Sequence, residues 1–451
     1  MRERYGVWIL ALLIGATLLA SCSSGGKTTS PTTSSSGQST TLGVGVTAKT
    51  IKVGVSLVDF SCIQQFVNQV RINQNQGYDN FIKYVNDHGG VDGRTIVPDY
   101  QYFCPIQNAQ ALALCTKFTE DDHVFAVMGN FVDFSGDAQT CLAKDHNTVL
   151  ITFQLSQAIM NQSPPGLVIL PGPTPERVDT VVLKLMQKQH TLKGKKIAVL
   201  GELTSQNVVN DSVVPGLKRL GIPMGSTAIL DVTGSDTSAA QTQLDSFIER
   251  WKSEGVNALF VSGTQVTSQQ FIEKVRAQMP DVMLVTDNDA TVTLGYGQQE
   301  RQIGRNPNPY EGIITAGGPT SAEYDASANW KFCASIYKQE TGKVAPNAET
   351  IIPGPNGKRL DTYGNINDAC QLLTLFQEIG DRVGKNLNVQ NWVHAVNTYG
   401  PIRDYGGGQY ASLHTGKYDD DDTFRLETFD SSLGSKGDWQ PITPLENIPS
   451  Q

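Results

Sequence analysis

Ile51-Lys52-Val53-Gly54-Val55-Ser56-Leu57, followed by YDNFIKYVNDHGGVDGRTIV (Tyr78–Val97), decides how this chain folds. The first run is short, apolar and β-branched, as a strand buried on both faces of a parallel sheet must be. A polar loop from Asp59 to Asn68 follows. Tyr78, Phe81, Ile82 and Val85 then recur at i, i+3, i+4 and i+7, which predicts a helix with one apolar face. Gly89-Gly90 ends it, because glycine accepts the left-handed cap conformation. Val91–Arg94 reads as a turn and Thr95–Phe103 as a second strand. Parallel strands joined through a helix need a right-handed crossover, so this unit founds a layered α/β domain.

The same alternation continues for most of the 451 residues, a length that calls for two or more cores. Helices are predicted over Asn108–Thr119 and Ser135–Asp145, and strands over Val124–Gly129, Thr148–Phe153 and Val168–Gly172. Pro171, Pro173 and Pro175 then interrupt the ladder, marking a first crossover between lobes. A second series follows, with helices over Pro175–His190, Val208–Leu220, Ser238–Ser253 and Ser268–Gln278. Its strands are Lys196–Gly201, Ser226–Val232, Asn257–Gly263 and Val282–Thr286. Two such series predict two doubly wound parallel-sheet lobes. The proline-bearing stretch Gly304–Gly318 reads as a second crossover. Helices Ala326–Thr341, Asp361–Val383 and Val389–Val396 come next, separated by a loop from Val344 to Arg359. After Pro401 an irregular tail with a strand at Thr423–Phe429 returns to the second lobe. The net charge of −9 excludes a nucleic-acid partner, which needs a basic footprint.

The unit from Ile51 to Val97 resembles the opening of type I periplasmic solute-binding proteins, in particular the leucine/isoleucine/valine-binding branch that serves ABC importers. The resemblance implies two lobes joined by a multi-crossover hinge. Lobe 1 would comprise residues 47–173 plus 318–400, and lobe 2 residues 174–317 plus 401–451. It implies a small-molecule ligand (amino acids first), ABC permease subunits as partners, a monomer, no cofactor and no enzymatic activity. A sensor or scaffold lipoprotein of the same fold is the alternative.

Residues 1–22 read as an export signal: Arg2 and Arg4, an apolar run from Gly6 to Ala20, then Leu19-Ala20-Ser21-Cys22. The last four residues resemble a bacterial lipobox, whose cysteine is acylated. The alternatives are an ordinary cleaved signal or an uncleaved anchor. Residues 23–46, rich in Ser, Thr and Gly, form the expected flexible tether, too poor in apolar side chains to offset ordering entropy. The expected location is the outer face of the cell membrane, held there by the lipid on Cys22.

Six cysteines remain, and an even count in an exported chain favours disulfides over metal. Sequence alone leaves fifteen pairings open. Placement in the two-lobe arrangement favours Cys62 with Cys104, Cys115 with Cys141, and Cys333 with Cys370. The resembling proteins pair a cysteine at the place of Cys104 with one near Phe131, where this chain has none.

Catalytic motifs are sparse. Ser335-Ile336-Tyr337-Lys338 matches S-x-x-K, but its companion motifs are missing. The six histidines show no metal spacing. Asp419–Asp422 lacks the ligand spacing of a calcium loop, so a solvated turn is expected there.

In open α/β sheets, ligands bind beyond the carboxyl ends of the strands. The first lobe offers Phe60, Phe134, Ser135 and Ser156 there; the second offers Gln206, Thr264, Asp287, Asn288 and Asp289. By resemblance, Ser135 lies close to, and Ser156 matches, hydroxyls that hold an amino-acid carboxylate. Helix N-capping uses serine equally well. Either phenylalanine walls the pocket or is ordinary core. Gln206 and Thr264 stand near the family's aromatic positions. Its ammonium-binding acid aligns with Asn288, an amide that cannot neutralise a cation. Either Asp287 or Asp289 takes that role, or the ligand lacks an ammonium; a simple Asp-Asn-Asp turn is the other reading.

Overall fold

β1 (Thr50–Val58) runs parallel to β2 (Thr95–Phe103) along its whole length, Thr50 opposite Thr95 and Val58 opposite Phe103. The intervening helix α1 (Gln74–Asp87) buries Tyr78, Phe81, Ile82 and Val85, the stripe read from the sequence. The structure, a computed structural model, describes residues 40–64, 67, 69–105, 107–129, 136–153, 155–231, 238–262, 268–287, 295–403 and 406–449. The calls on Cys22, Phe134, Ser135, Thr264, Asn288 and Asp289 lie outside them.

The first sheet continues through α2 (Asn108–Thr116), β3 (Ala126–Gly129), α3 (Asp137–Thr140), β4 (Val149–Thr152), α4 (Gln157–Met160) and β5 (Val168–Ile169). Its order is β2-β1-β3-β4-β5, all parallel. The chain then crosses into α5 (Pro175–Lys188), whose first residue is the proline that suits a helix start. β6 (Ile197–Glu202), a helical run from Gln206 to Arg219, β7 (Met224–Leu230), α6 (Ser238–Glu254), β8 (Ala258–Ser262), α7 (Ser268–Gln278), β9 (Met283–Thr286), α8 (Tyr296–Gln302) and β10 (Ile314–Gly317) build the second sheet. α9 (Ser321–Ala326), α10 (Ala328–Thr341), α11 (Thr362–Val383) and α12 (Val389–Asn397) return to the first sheet, where Trp330, Phe376 and Trp392 join its core. β11 (Thr423–Asp430) and β12 (Asp438–Pro441) close the second sheet as antiparallel edge strands, giving β12-β11-β10-β9-β8-β6-β7. The two faces of that sheet carry separate clusters, one around Trp251 and Phe271, the other around Val182 and Phe260.

Two sequence expectations need correction. Gly304–Gly318 is more than a crossover: its last residues form β10, four buried residues parallel to β9. A strand this short between glycines and prolines gives almost no periodic signal. The acidic run is no solvated turn either, since Asp419, Asp420 and Asp422 are 3%, 2% and 3% exposed. Ile402, Leu413 and Tyr418 also pack on the first core, so the stretch before β11 runs between the sheets.

Disulfides join Cys62 to Cys104, Cys115 to Cys141 and Cys333 to Cys370; Cys104 is buried and the other five pack with the first core. Replacing Cys333 and Cys370 together by serine, which opens a 37-residue separation, is expected to lower stability by roughly 2–4 kcal/mol in denaturant titration.

Candidate functional site

Both sheets share one strand order, with the first strand of each series between the second and the third. Successive crossovers therefore leave to opposite faces at two places, between β1 and β3 and between β6 and β8. Open α/β sheets bind ligands at such places, beyond the strand ends.

On the first sheet, β1 leads into a single 3-10 turn at Phe60–Cys62, capped by Asp59, whose carboxylate accepts from the Ser61 N–H at 2.9 Å. Phe60 is half-buried against the core. The Cys62–Cys104 bridge ties this turn to the residue after β2. Ser156 is the N-cap of α4, its Oγ accepting from the Ile159 N–H at 3.3 Å. The two N–H groups before it in that turn are engaged from the other lobe. Glu176 of α5 accepts from Gln157 at 2.8 Å and from Ala158 at 3.3 Å. Burial pushes the Glu176 carboxyl up, and these backbone donors pull against that. A solute that reaches the start of α4 must displace Glu176.

On the second sheet, the strand ends are acidic. Glu202 closes β6, is 2% exposed, and shares a reciprocal cap with Ser205. Ser205 Oγ also donates to the Ser262 carbonyl at 3.2 Å, tying β6 to β8. Ser262 Oγ donates to Asp287 Oδ2 at 2.5 Å, and Asp287 is 5% exposed. Asp179 of α5 is completely buried. Gln206 is exposed at the start of the helical run after β6. Tyr296 of α8 is buried, and burial together with the Glu202 charge pushes its hydroxyl up. Sequence reading missed Glu176 and Asp179, although a signal existed. Asp179 stands three residues before Val182 and seven before Met186, inside the apolar stripe of α5.

Between the sheets lies a buried ionic knot. Arg177 donates to Asp419 at 2.8 Å, to Asp422 at 2.5 Å and to the Ile448 carbonyl at 2.9 Å, with its guanidinium over the Phe424 ring. Lys417 donates to the Ser412, Asp419 and Asp420 carbonyls. Gly172 and Thr174 donate backbone N–H groups to Asp420 and Asp419. The crossover after β5 is thereby tied to the stretch before β11, as a Leu170–Asp419 bridge also shows.

Other places fit a site less well. A hollow of about 760 Å3 beside Phe332, Thr374, Glu378 and Ile402 has no lining residue from either large sheet. Cys115, Cys141 and His146 have metal-like spacing, but the two sulfurs are bonded to each other. Ser335 is exposed on α10 and its Oγ donates to the Phe332 carbonyl, which leaves the S-x-x-K match without an activating partner.

The sequence pattern of the family described as "Periplasmic binding protein" matches residues 50–351. No protein of curated function matches the chain. Among solved structures, a solute-binding protein of an ABC transporter from Rhodopseudomonas palustris BisB5, in complex with 3,4-dihydroxybenzoic acid, superposes with TM-score 0.61 at 16% identity, covering 89% of this chain and 98% of that one. A fatty acid ABC transporter substrate-binding protein from Thermomonospora curvata gives 0.61 at 16%, covering 90% and 95%. A branched-chain amino acid transporter substrate-binding protein from Streptococcus pneumoniae, in complex with isoleucine, gives 0.56 at 13%, covering 89% and 99%. At these identities the likeness is one of fold.

Proposed function

This chain belongs to the periplasmic binding protein family, and from that premise we propose that it is the lipid-anchored solute-binding protein of an ABC importer. Lobe 1 is residues 47–173 with 318–400, lobe 2 is 174–317 with 401–451, and the stretch from 402 to 422 threads between them. A small polar solute, an amino acid or a related amide or amine, is held at the strand ends and stabilises the closed lobes through its higher affinity for that form. The observation that carries this reading is the pair of matching switch points, one in each sheet, with the buried acids Glu202 and Asp287 at strand ends of the second. Asp287 faces the solute from lobe 2, with Asn288, Asp289, Gln206 and Thr264 beside it. Phe60, Phe134, Ser135 and Ser156 face it from lobe 1. The neighbours of similar fold carry benzoates, fatty acids and amino acids. Glu176 at the start of α4 disfavours a solute carboxylate there, which favours amines and amides over benzoates.

The test is thermal unfolding of the exported domain against amino acids, amides, urea, aromatic acids and fatty acids. A true solute at a hundred times its Kd stabilises by about 2.7 kcal/mol. Silence across the whole panel overturns the reading. Separately, Cys22→Ala is expected to move the protein from the membrane fraction to the medium, because one peptide tether without acyl chains has no membrane affinity of its own. An unchanged membrane fraction would count against acylation at Cys22.

A further inference from the structure

The loop between α10 and α11 meets the turn between β11 and β12. Arg301 of α8 sets that turn, donating to the Leu433 and Gly434 carbonyls, each at 3.0 Å. Ser435 within it gives its N–H and its hydroxyl to the Glu349 carboxylate, each at 2.7 Å, and Lys436 donates to the Ala348 carbonyl. Farther along the same loop, Ile352–Pro353 pairs with Arg359–Leu360, which pairs in turn with Gln69–Val70. A hollow of about 50 Å3 lies where these segments meet, and Arg359, Lys436, Asp361, Tyr363 and Thr350 are among its walls. None of the described strand-end residues lines it.

Arg359 is 7% exposed, and its Nε has no hydrogen-bond partner. A guanidinium stays charged and carries five donors, and a buried charge is costly unless paired. The acids nearby are committed to other groups. Asp361 accepts from Arg71 and from the Gly364 N–H, each at 2.8 Å. Glu349 takes the donors of Ser435, and Asp438 accepts from the Ser321 hydroxyl at 3.1 Å. Lys436 spends one of its three protons on the Ala348 carbonyl.

We propose that this hollow is a small-oxyanion site, with Arg359 and Lys436 as its cationic walls and phosphate, sulfate or a carboxylate group as the ligand chemistry. The guanidinium fork matches the paired oxygens of such ions, and the ammonium adds a point charge from the facing segment. One water needs about 10–15 Å3 of such space, so about 50 Å3 takes an ion of a few oxygens rather than a large metabolite. Burial lowers the pKa of Arg359, and burial followed by the Arg359 charge lowers that of Lys436. An oxyanion between them offsets both effects and joins the loop to the turn. The site stands whichever solute the strand ends take.

The test is thermal unfolding of the full-length chain in detergent, with inorganic phosphate replacing chloride at constant ionic strength. The wild-type midpoint is expected to rise saturably, by about 1–3 °C once phosphate is in excess of its Kd. Arg359→Met should abolish that rise, whereas a general salt effect or binding elsewhere would survive the substitution. Lys436→Met should shift the half-saturating phosphate concentration upward about tenfold, since one charge-assisted contact is lost. A parallel titration with acetate separates the sources: a rise with phosphate alone identifies a tetrahedral ion, and a rise with acetate identifies a carboxylate. No saturable rise with either ion overturns the proposal, as does an equal rise in Arg359→Met. Should Arg359→Met fail to fold, Lys436→Met decides, and an unchanged half-saturation point overturns it.

Discussion

Arg177→Leu is expected to destabilise the folded chain by about 3–5 kcal/mol, the usual result of removing one partner from a buried charge pair. Arg177 is 9% exposed, and Asp419 and Asp422 are each 3% exposed, so water replaces little of what the guanidinium supplies. Leucine restores part of the packing on Phe424 but none of the donors to Asp419, Asp422 and the Ile448 carbonyl. Lys417 remains, yet its side chain stands 3.6 Å from Asp419 and 3.5 Å from Asp422 and is engaged with backbone carbonyls. Denaturant titration of Arg177→Leu, Asp422→Asn and the double variant should give a coupling of about 1–3 kcal/mol. Additive losses would mean that the knot contributes through shape alone. The same cycle bears on function. These residues join α5 to the crossover after β5 and to the stretch before β11, so loosening them should change how the lobes move as well as how firmly they stand. In a solute titration, Arg177→Leu is expected to weaken apparent affinity even though it touches no strand-end residue, because the closed form becomes less defined.

The contrast between this knot and the rest of the fold shows what a sequence carries. The first unit was readable because a strand such as Thr50–Val58 and a helix such as Gln74–Asp87 declare themselves through local period. Later elements of the same kind, α5 and α11 among them, were readable for the same reason. β10 was missed because four residues hold too little period, and its burial comes from β9 and β11, which lie far off in the chain. The Asp419–Asp422 run reads as solvated by composition. Its burial depends on Arg177, which lies 242 residues from Asp419, and nothing local announces that partner. The strand-end residues fall between these cases. Their place beyond β1, β6 and β9 follows from the alternation, but the engagement of Gln157 and Ala158 by Glu176 required two elements from different lobes to meet.

Gly129→Ala carries the other large expected effect. Gly129 ends β3, paired with Ser56 of β1 on one side and Thr152 of β4 on the other, and the chain leaves it directly into residues 130–135. Its φ is +130°, a region that side chains with a Cβ rarely enter. A Cβ there would stand 2.2 Å from the Ser56 carbonyl oxygen and 2.9 Å from its hydroxyl. Backbone cannot step aside as a flexible side chain does, so β1 and β3 must separate or Gly129 must change conformation. Strain of about 1–3 kcal/mol from the dihedral and a similar amount from overpacking are expected together. Gly172 supplies the control. Its φ is +135°, but nothing lies within 4 Å of its would-be Cβ, so Gly172→Ala should show only the dihedral part. Denaturant titration of the two variants separates the terms: Gly129→Ala should fall below Gly172→Ala by about 1–3 kcal/mol. Equal losses would mean that the spacing between β1 and β3 yields freely. A yielding switch point could not hold Ser56, Gly129 and Thr152 in register, and a crevice for a small solute needs that register to place both of its walls.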